Sequence, residues 1–217
     1  MISIIIPAYN EEKTIFQVLN SVQRVFKDVE CEILVIDDGS TDTTGVICES
    51  YPNIKYVRLS QNKGKGLAIR EGLKQTKGSF IAIQDADLEY NPETLYKLFL
   101  EAKNDIVIYG KRDRKQGYFL YKIGNAFISR VCNILYQSNL FDIYTCYKII
   151  PRPIIESLKL TSNGFEIEAE ITAKLLKLNI PIVEIPITYS SRTFKDGKKI
   201  RGIDALIGTW TLIKNRF

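Results

Sequence analysis

FIAIQDADLEYNP, residues 80–92, runs an apolar strand pattern straight into the closely spaced carboxylates Asp85, Asp87 and Glu89. A proline suited to the first turn of a helix follows at Pro92. Acidic side chains tolerate such a position when they are solvated at a strand end or when a cation offsets their repulsion. A hard divalent ion accepts one or two of them beside substrate phosphates. The stretch therefore predicts strand, acidic loop and helix, with the loop a place for metal and phosphate.

The same unit recurs on either side. Residues 2–6 read as a buried strand. Asn10, Glu11 and Glu12 supply a cap and an acidic first turn ahead of Ile15, Leu19, Val22 and Phe26 at helical spacing. Residues 31–36 form a second strand, 37–42 a polar turn, 43–51 a short helix and 54–59 a third strand. Residues 64–76 are helical, 92–103 form the helix after the acidic loop, and 105–109 a fifth strand. This alternation predicts an α/β fold whose parallel sheet carries helices on both faces. Such sheets bind ligands outside the carboxyl ends of their strands, where Tyr9, Asp37, Asp38, Asp85 and Asp87 fall.

Beyond residue 110 the pattern loosens. Residues 111–117 read as a charged loop, 118–140 as largely helical and 143–149 as extended. A helix over 165–178 carries Ile167, Ile171, Leu175 and Leu178 as a core stripe, and 182–189 is a further strand. A basic stretch at 192–201 precedes a terminal helix with Leu206, Trp210 and Ile213 on one face. No internal repeat or linker interrupts the 217 residues, which are expected to form a single domain.

Composition narrows the chemistry. Hydrophobic residues make up 45% of the chain, enough for a real core, and a net charge of +5 favours anionic partners. Histidine is absent, which removes Ser-His-Asp catalysis, His-ligated zinc and an imidazole base together. Cys31, Cys48, Cys132 and Cys146 are far apart and read as reduced structural thiols. No apolar run reaches the length of a membrane-spanning helix, and residues 2–6 do not suit a signal peptide. A cytoplasmic protein, soluble or peripheral at the inner face of the membrane, is expected.

Each motif has an ordinary reading beside the chemical one. The acidic loop also suits a helix start, but its place at a strand's carboxyl end favours Asp87 and Glu89 as metal ligands, with Asp85 orienting a ribose or a metal-bound water. Gly39 and Ser40 explain a turn at 37–42, whereas Asp37 and Asp38 suit a base N–H or ribose hydroxyls. No GxGxxG turn is present, which disfavours NAD. Residues 62–66 open a helix whose amides can hold phosphate. Lys111, Arg112, Arg114 and Lys115, with Tyr118, Phe119 and Tyr121, form the single stretch with a nucleic-acid-like character. Solvated charge explains that stretch, Arg112 alone is assigned to the site, and no nucleic-acid partner is expected. Glu166, Glu168 and Glu170 read mostly as surface charge, with one of them able to reach the cleft.

Taken together, IIIPAYNEEKTI, EILVIDDGSTD, NKGKG, FIAIQDADLEYNP, DIYTCYK and IPITYSSRTFKDGKKI resemble the family 2 glycosyltransferases of the GT-A fold, a Rossmann-like, mostly parallel sheet with helices on both faces. The dolichol-phosphate mannose synthase and polyprenyl-phosphate sugar transferase branch is the most similar. The resemblance implies a nucleoside-diphosphate-sugar donor, with Pro7, Ala8, Tyr9, Glu11, Ile36, Asp38 and Lys65 in the nucleotide pocket and Asp85 and Ala86 beside the diphosphate. It implies Mg²⁺ or Mn²⁺ on Asp87 and Glu89. Arg112, Arg192 and Lys198 match cationic positions for donor or acceptor phosphate. Residues 1–110 would form the nucleotide-sugar half and 111–217 the acceptor half.

An inverting transfer to polyprenyl phosphate suits a chain without histidine, because that acceptor is already anionic and needs no strong base. A sugar hydroxyl would need one, and Asp142 or one of Glu166, Glu168 and Glu170 would then serve. A non-catalytic nucleotide-sugar-binding subunit is the rival of another class. Lys198, Lys199 and Arg201 ahead of a helix bearing Trp210 suit anionic headgroups at a membrane surface, as packing of that helix on the core also would.

Overall fold

Four apolar strands form the centre of the sheet: β1 (Ile2–Ala8), β2 (Cys31–Asp37), β4 (Phe80–Ile83) and β5 (Val107–Arg112). In the computed structural model, residues 1–113, 119–192, 199 and 202–217 are described. Edge strands β3 (Lys55–Arg58) and β7 (Ile182–Ile187) and the short β6 (Lys148–Pro151) complete seven strands in the order β3-β2-β1-β4-β6-β5-β7. All pairings are parallel except those of β6, which runs antiparallel to both β4 and β5.

The order reverses at β1. The chain steps outward through β2 and β3, then returns to lay β4 on the other side of β1, with Ile2 opposite Phe80 and Ile5 opposite Ile83. Beyond that last pair β1 continues beside β2 to Ala8, whereas β4 ends and the chain enters the 84–91 loop. A crevice at the carboxyl ends of adjacent strands at such a switch point is where open α/β sheets bind ligands.

Helices cover both faces: α1 (Ile15–Val25), α2 (Thr44–Ser50), α3 (Lys65–Gln75), α4 (Pro92–Leu100), α5 (Phe119–Tyr136), α6 (Arg152–Ser157), α7 (Ile167–Lys177) and α8 (Gly202–Arg216). Ile15, Leu19, Val22 and Phe26 bury the face of α1 that their spacing predicts. A second apolar cluster joins α5, α7 and α8 through Ile128, Cys132, Ala169, Ala173 and Leu212.

Several expectations differ from the structure, each for a local reason. Asn10 does not cap α1. It sits at φ 49°, and its Oδ1 accepts the amide of Thr41 at 2.8 Å, while Glu12 accepts the Thr43 amide and hydroxyl. The first turn of α1 therefore holds no acidic residue. Residues 143–147 form a turn and irregular chain, and the extended segment begins only at Lys148. The six-residue α6, with Pro151 at its N-cap and Pro153 in its first turn, carried too little periodicity to be foreseen. In α7 the stripe of Ile167, Ile171 and Leu175 is buried, but Leu178 is exposed and Glu168 and Glu170 are buried rather than on the surface. In α8 the buried side is Gly208, Thr211 and Leu212, which leaves Leu206 and Trp210 facing away from the core.

The basic loop around Arg114, Lys115 and Tyr118 lies outside the described residues, as do Lys198 and Arg201. All four cysteines are free thiols. Among the described residues no helix is long and apolar enough to cross a membrane.

Candidate active site

The acidic loop begins where β4 ends. Gln84 is fully buried and accepts the Tyr147 hydroxyl at 2.7 Å, which fixes the last turn of chain before Asp85. Thr14, at the start of α1, donates to the Ala86 carbonyl at 2.7 Å and so ties the loop to the element after β1. Leu88 then takes φ 61°, a costly region for a branched side chain. The turn it makes lets the Glu89 amide donate to Asp87 Oδ1 at 3.0 Å and sets the two carboxylates on the same neighbour.

That neighbour is Arg192. Its Nη2 meets Asp87 Oδ2 at 3.0 Å, its amide donates to Glu89 Oε1 at 2.7 Å, and its guanidinium spans both Glu11 oxygens at 3.0 and 3.1 Å. Lys199 adds a second cation on Glu11 Oε1 at 2.6 Å and also donates to the Tyr9 carbonyl. Tyr189 donates to Glu89 Oε2 at 2.6 Å. Residues expected to hold nucleotide, metal and phosphate are thus brought together by the segment after β7. Burial, with repulsion from Asp85 and Glu89, pushes the Asp87 carboxyl up to about 7.

Asp85 faces the other way. Lys65, the first residue of α3, reaches its Oδ1 at 2.7 Å and Glu168 Oε1 at 3.1 Å. Glu168 in turn pairs with Lys148, a lysine on β6 with no exposed surface that also donates to the Thr145 carbonyl. Burial opposes both charges of the Lys65–Asp85 pair, and the pairing outweighs it, holding Asp85 below and Lys65 well above their ordinary values. Of Glu166, Glu168 and Glu170, Glu168 is the one tied to the cleft, through Lys65. Glu166 accepts the amides of Asn163 and Gly164, and Glu170 those of Thr161 and Ser162.

Arg112, at the end of β5, forms a two-pronged pair with Asp142 at 2.6 and 2.8 Å and stacks 5.0 Å from the centre of the Tyr189 ring. Asn125 donates to Asp142 at 3.0 Å, and Glu184 on β7 accepts the Asp142 amide at 2.9 Å. Burial opposes the Asp142 charge, Arg112 outweighs it, and the carboxyl stays below its ordinary value. Asp142 is therefore an acceptor that fixes Arg112. To act as a base it would have to give up that pair.

The residues expected around a nucleotide divide between the crevice and the core. Tyr9 and Glu11 follow β1 at the crevice, and Ala8 ends the strand beside them, whereas Ile36 is wholly buried in the sheet and belongs to the core. Pro7 is half-buried, one residue before the end of β1. Asp38 accepts the amides of Lys63 at 2.9 Å and Gly64 at 2.7 Å, and Asp37 accepts the Ser40 amide and the Tyr56 hydroxyl. Both aspartates thus hold turns of the chain. The same bonds take two of the amides expected to hold phosphate at residues 62–66. The Lys63 and Gly64 amides are taken by Asp38 and that of Leu67 by the Asn163 carbonyl, so they are not offered to phosphate.

Among the described residues no three carboxylate or thiol side chains converge closely enough to hold a metal ion on their own. Asp87 and Glu89 nonetheless fit a hard cation that takes two protein carboxylates and completes its shell with substrate oxygens and water. Asp87 meets the Arg192 guanidinium and Glu89 the amide of the same residue, and the crowding that raises Asp87 is relieved by positive charge.

The family model for glycosyl transferase family 2 matches residues 3–159, which takes in β1 through α6 and leaves out Glu168, Tyr189, Arg192 and Lys199. The chain belongs to glycosyl transferase family 2. A dolichol-phosphate mannosyltransferase of Pyrococcus furiosus is 28% identical over 91% of the chain, and the glycosyltransferase AglJ of Haloferax volcanii is 30% identical over 88%. This family 2 chain spans 58% of the length of the first and 63% of the second. Its fold matches glucosyl-3-phosphoglycerate synthase of Mycobacterium tuberculosis, solved with Mn²⁺, UDP and phosphoglyceric acid, at a TM-score of 0.76 and 20% identity. That match covers all of this chain and 78% of that one. The architecture is the GT-A fold.

The site residues that sequence reasoning missed are Glu168, left undistinguished among three glutamates, and Lys148. The signal for Lys148 was present, since an ionisable residue inside the apolar run at 146–150 must find a buried partner.

Proposed function

We propose that this family 2 chain is an inverting, metal-dependent glycosyltransferase that moves a sugar from a nucleoside diphosphate to a polyprenyl phosphate at the cytoplasmic face of a membrane. One observation carries the reading. At the switch point of the sheet, an acidic loop is met by Arg192 on one side and by Lys65 on the other, and no histidine exists to activate a hydroxyl.

In this reading Tyr9 and Glu11 border the nucleoside, and the Arg192 guanidinium exchanges its carboxylate partners for the donor diphosphate. Mg²⁺ or Mn²⁺ bound by Asp87 and Glu89 supplies charge for the departing nucleoside diphosphate. Arg112, held in orientation by Asp142, presents its remaining edge to acceptor phosphate, with Lys198 and Lys199 as further countercharge. An acceptor phosphate oxygen displaces the diphosphate at the anomeric carbon, forming the new glycosyl–phosphate bond with inversion. Since the attacking oxygen is already anionic, the engaged state of Asp142 and Glu170 is no obstacle. The name of the Pyrococcus furiosus relative agrees with a lipid-phosphate acceptor. The donor site draws on residues 1–110 together with Arg192, and the acceptor site on the rest of 111–217.

A thermal-shift panel of UDP, GDP and dTDP sugars with and without Mn²⁺ identifies the donor, because a ligand that prefers the folded state raises Tm. With that donor, nucleoside diphosphate is released when polyprenyl phosphate is added, and Asp87→Asn lowers the rate at least about 100-fold. Product formed only with glycan acceptors refutes the lipid-phosphate acceptor. Wild-type function retained by Asp87→Asn in cells refutes catalysis itself and leaves the binding subunit.

A further inference from the structure

Four charged side chains from four elements form one alternating series: Asp85 after β4, Lys65 at the start of α3, Glu168 on α7 and Lys148 on β6. Side-chain exposure falls along it from 21% at Asp85 through 12% and 3% to zero at Lys148, so the series runs from the cleft into the core. We propose that Glu168 and Lys148 are positioning residues for sugar transfer, acting on Asp85 through Lys65; the inference rests on the glycosyltransferase reading of this cleft.

Lys65 is shared, with Asp85 at 2.7 Å and Glu168 at 3.1 Å, so its ammonium is drawn both toward the cleft and toward the core. Glu168 is held from behind, because Lys148 takes its other oxygen while donating to the Thr145 carbonyl and lying 4.8 Å from the centre of the Tyr109 ring. Without the Glu168 charge, Lys65 collapses onto Asp85 alone and neutralises that acidic-loop carboxylate. Without the Lys148 charge, Glu168 draws Lys65 away from Asp85. The two ends of the series thus set where the Lys65 charge stands and how much of the Asp85 charge the donor sugar meets.

Stability alone is a poor reason for such a series. Buried ion pairs replaced by apolar groups of similar size commonly leave a protein as stable or more so, whereas removing one partner is costly. A merely structural series would therefore need only to stay balanced. A positioning series would need its particular charges.

The experiment compares Glu168→Gln, Lys148→Met and the double variant, using the donor found by thermal shift, Mn²⁺ and polyprenyl phosphate. Glu168→Gln is expected to bind the nucleoside diphosphate within about threefold of wild type while kcat falls at least tenfold. The double variant, again balanced in charge, is expected to recover the wild-type Tm but not kcat. Recovery of kcat together with Tm in the double variant overturns the inference, as does a Glu168→Gln kcat within twofold of wild type. If Glu168→Gln fails to fold, the double variant decides alone. Absence of turnover by the unaltered chain with every donor refutes the transferase reading instead, and this inference with it.

Discussion

Glu170 shows what one buried carboxylate does for the site from a distance. Its oxygens accept the amides of Thr161 and Ser162, the Thr161 hydroxyl and the Lys174 ammonium, and so hold the loop whose Asn163 carbonyl meets the start of α3. Burial opposes its ionised form, and Lys174 with those amides outweighs this, taking the carboxyl from an ordinary 4.5 down to about 2. A group depressed in the folded state contributes stability that is fully present above its unfolded value and is lost as pH falls toward its folded value. The window is therefore about pH 4.5 to 2. Thermal melts across that range should show wild type losing Tm more steeply than Glu170→Gln, with the variant less stable at pH 7 and the two curves converging in acid. Parallel curves would count against this assignment. None of this was legible from Glu166, Glu168 and Glu170 as a string, because helical spacing says which residues share a face and not which loop lies over that face. The acidic loop was easier to read, since carboxylates that follow directly on an apolar strand cannot continue its burial and must face a cleft, a cation or water.

Among the elements, α3 is the one whose sequence and setting pull in opposite directions. Helix propensity favours Ala over Gly by about 1 kcal/mol, so Gly66→Ala on an isolated helix would stabilise it. Here a methyl group at Gly66 would stand 2.6 Å from the Ser162 carbonyl oxygen and 2.9 Å from that of Gly164, both fixed backbone atoms. The close approach wins. Gly66→Ala should lower stability by about 1–3 kcal/mol, read as a reduced denaturant midpoint with an unchanged slope. Because Lys65 is the neighbouring residue and pairs with Asp85, it should also lower kcat. A midpoint at or above wild type would show that loop 161–164 gives way. The strands and long helices were legible because their periods are strong. The glycines of NKGKG read as a phosphate turn because sequence cannot show that Asp38 takes two of its amides and that residues 162–164 press on it.

For the whole molecule, the question of partnership concentrates on α8. Its buried side is small, with Gly208 and Thr211 beside Leu212, so the helix lies close on α5 and α7. Ile203, Leu206, Ile207 and Trp210 are left exposed on the opposite side, with Phe217 beyond the helix end. An apolar face that size on a helix calls for a second phase, and its charges say which. Lys198, Lys199, Arg201, Lys214 and Arg216 stand against a single acid, Asp204, over residues 198–217. A basic, Trp-bearing amphipathic helix suits an anionic lipid surface, where burial of the apolar face and attraction to headgroups add. Position argues the same way. Lys199, three residues before α8, contacts Tyr9 and Glu11, so the helix starts near the mouth of the crevice to which, in the proposed reaction, a lipid-borne phosphate would come. The 217-residue chain should therefore co-sediment with phosphatidylglycerol vesicles and much less with phosphatidylcholine. Leu206→Glu/Trp210→Glu should reduce binding at least about tenfold while leaving Tm and nucleoside diphosphate affinity intact, because neither side chain supports the core. Added salt should weaken the attraction that Lys and Arg provide. Binding unaffected by the double substitution would move the lipid contact elsewhere on the surface. A concentration-dependent dimer abolished by the same substitutions would assign the face to a second copy of the chain.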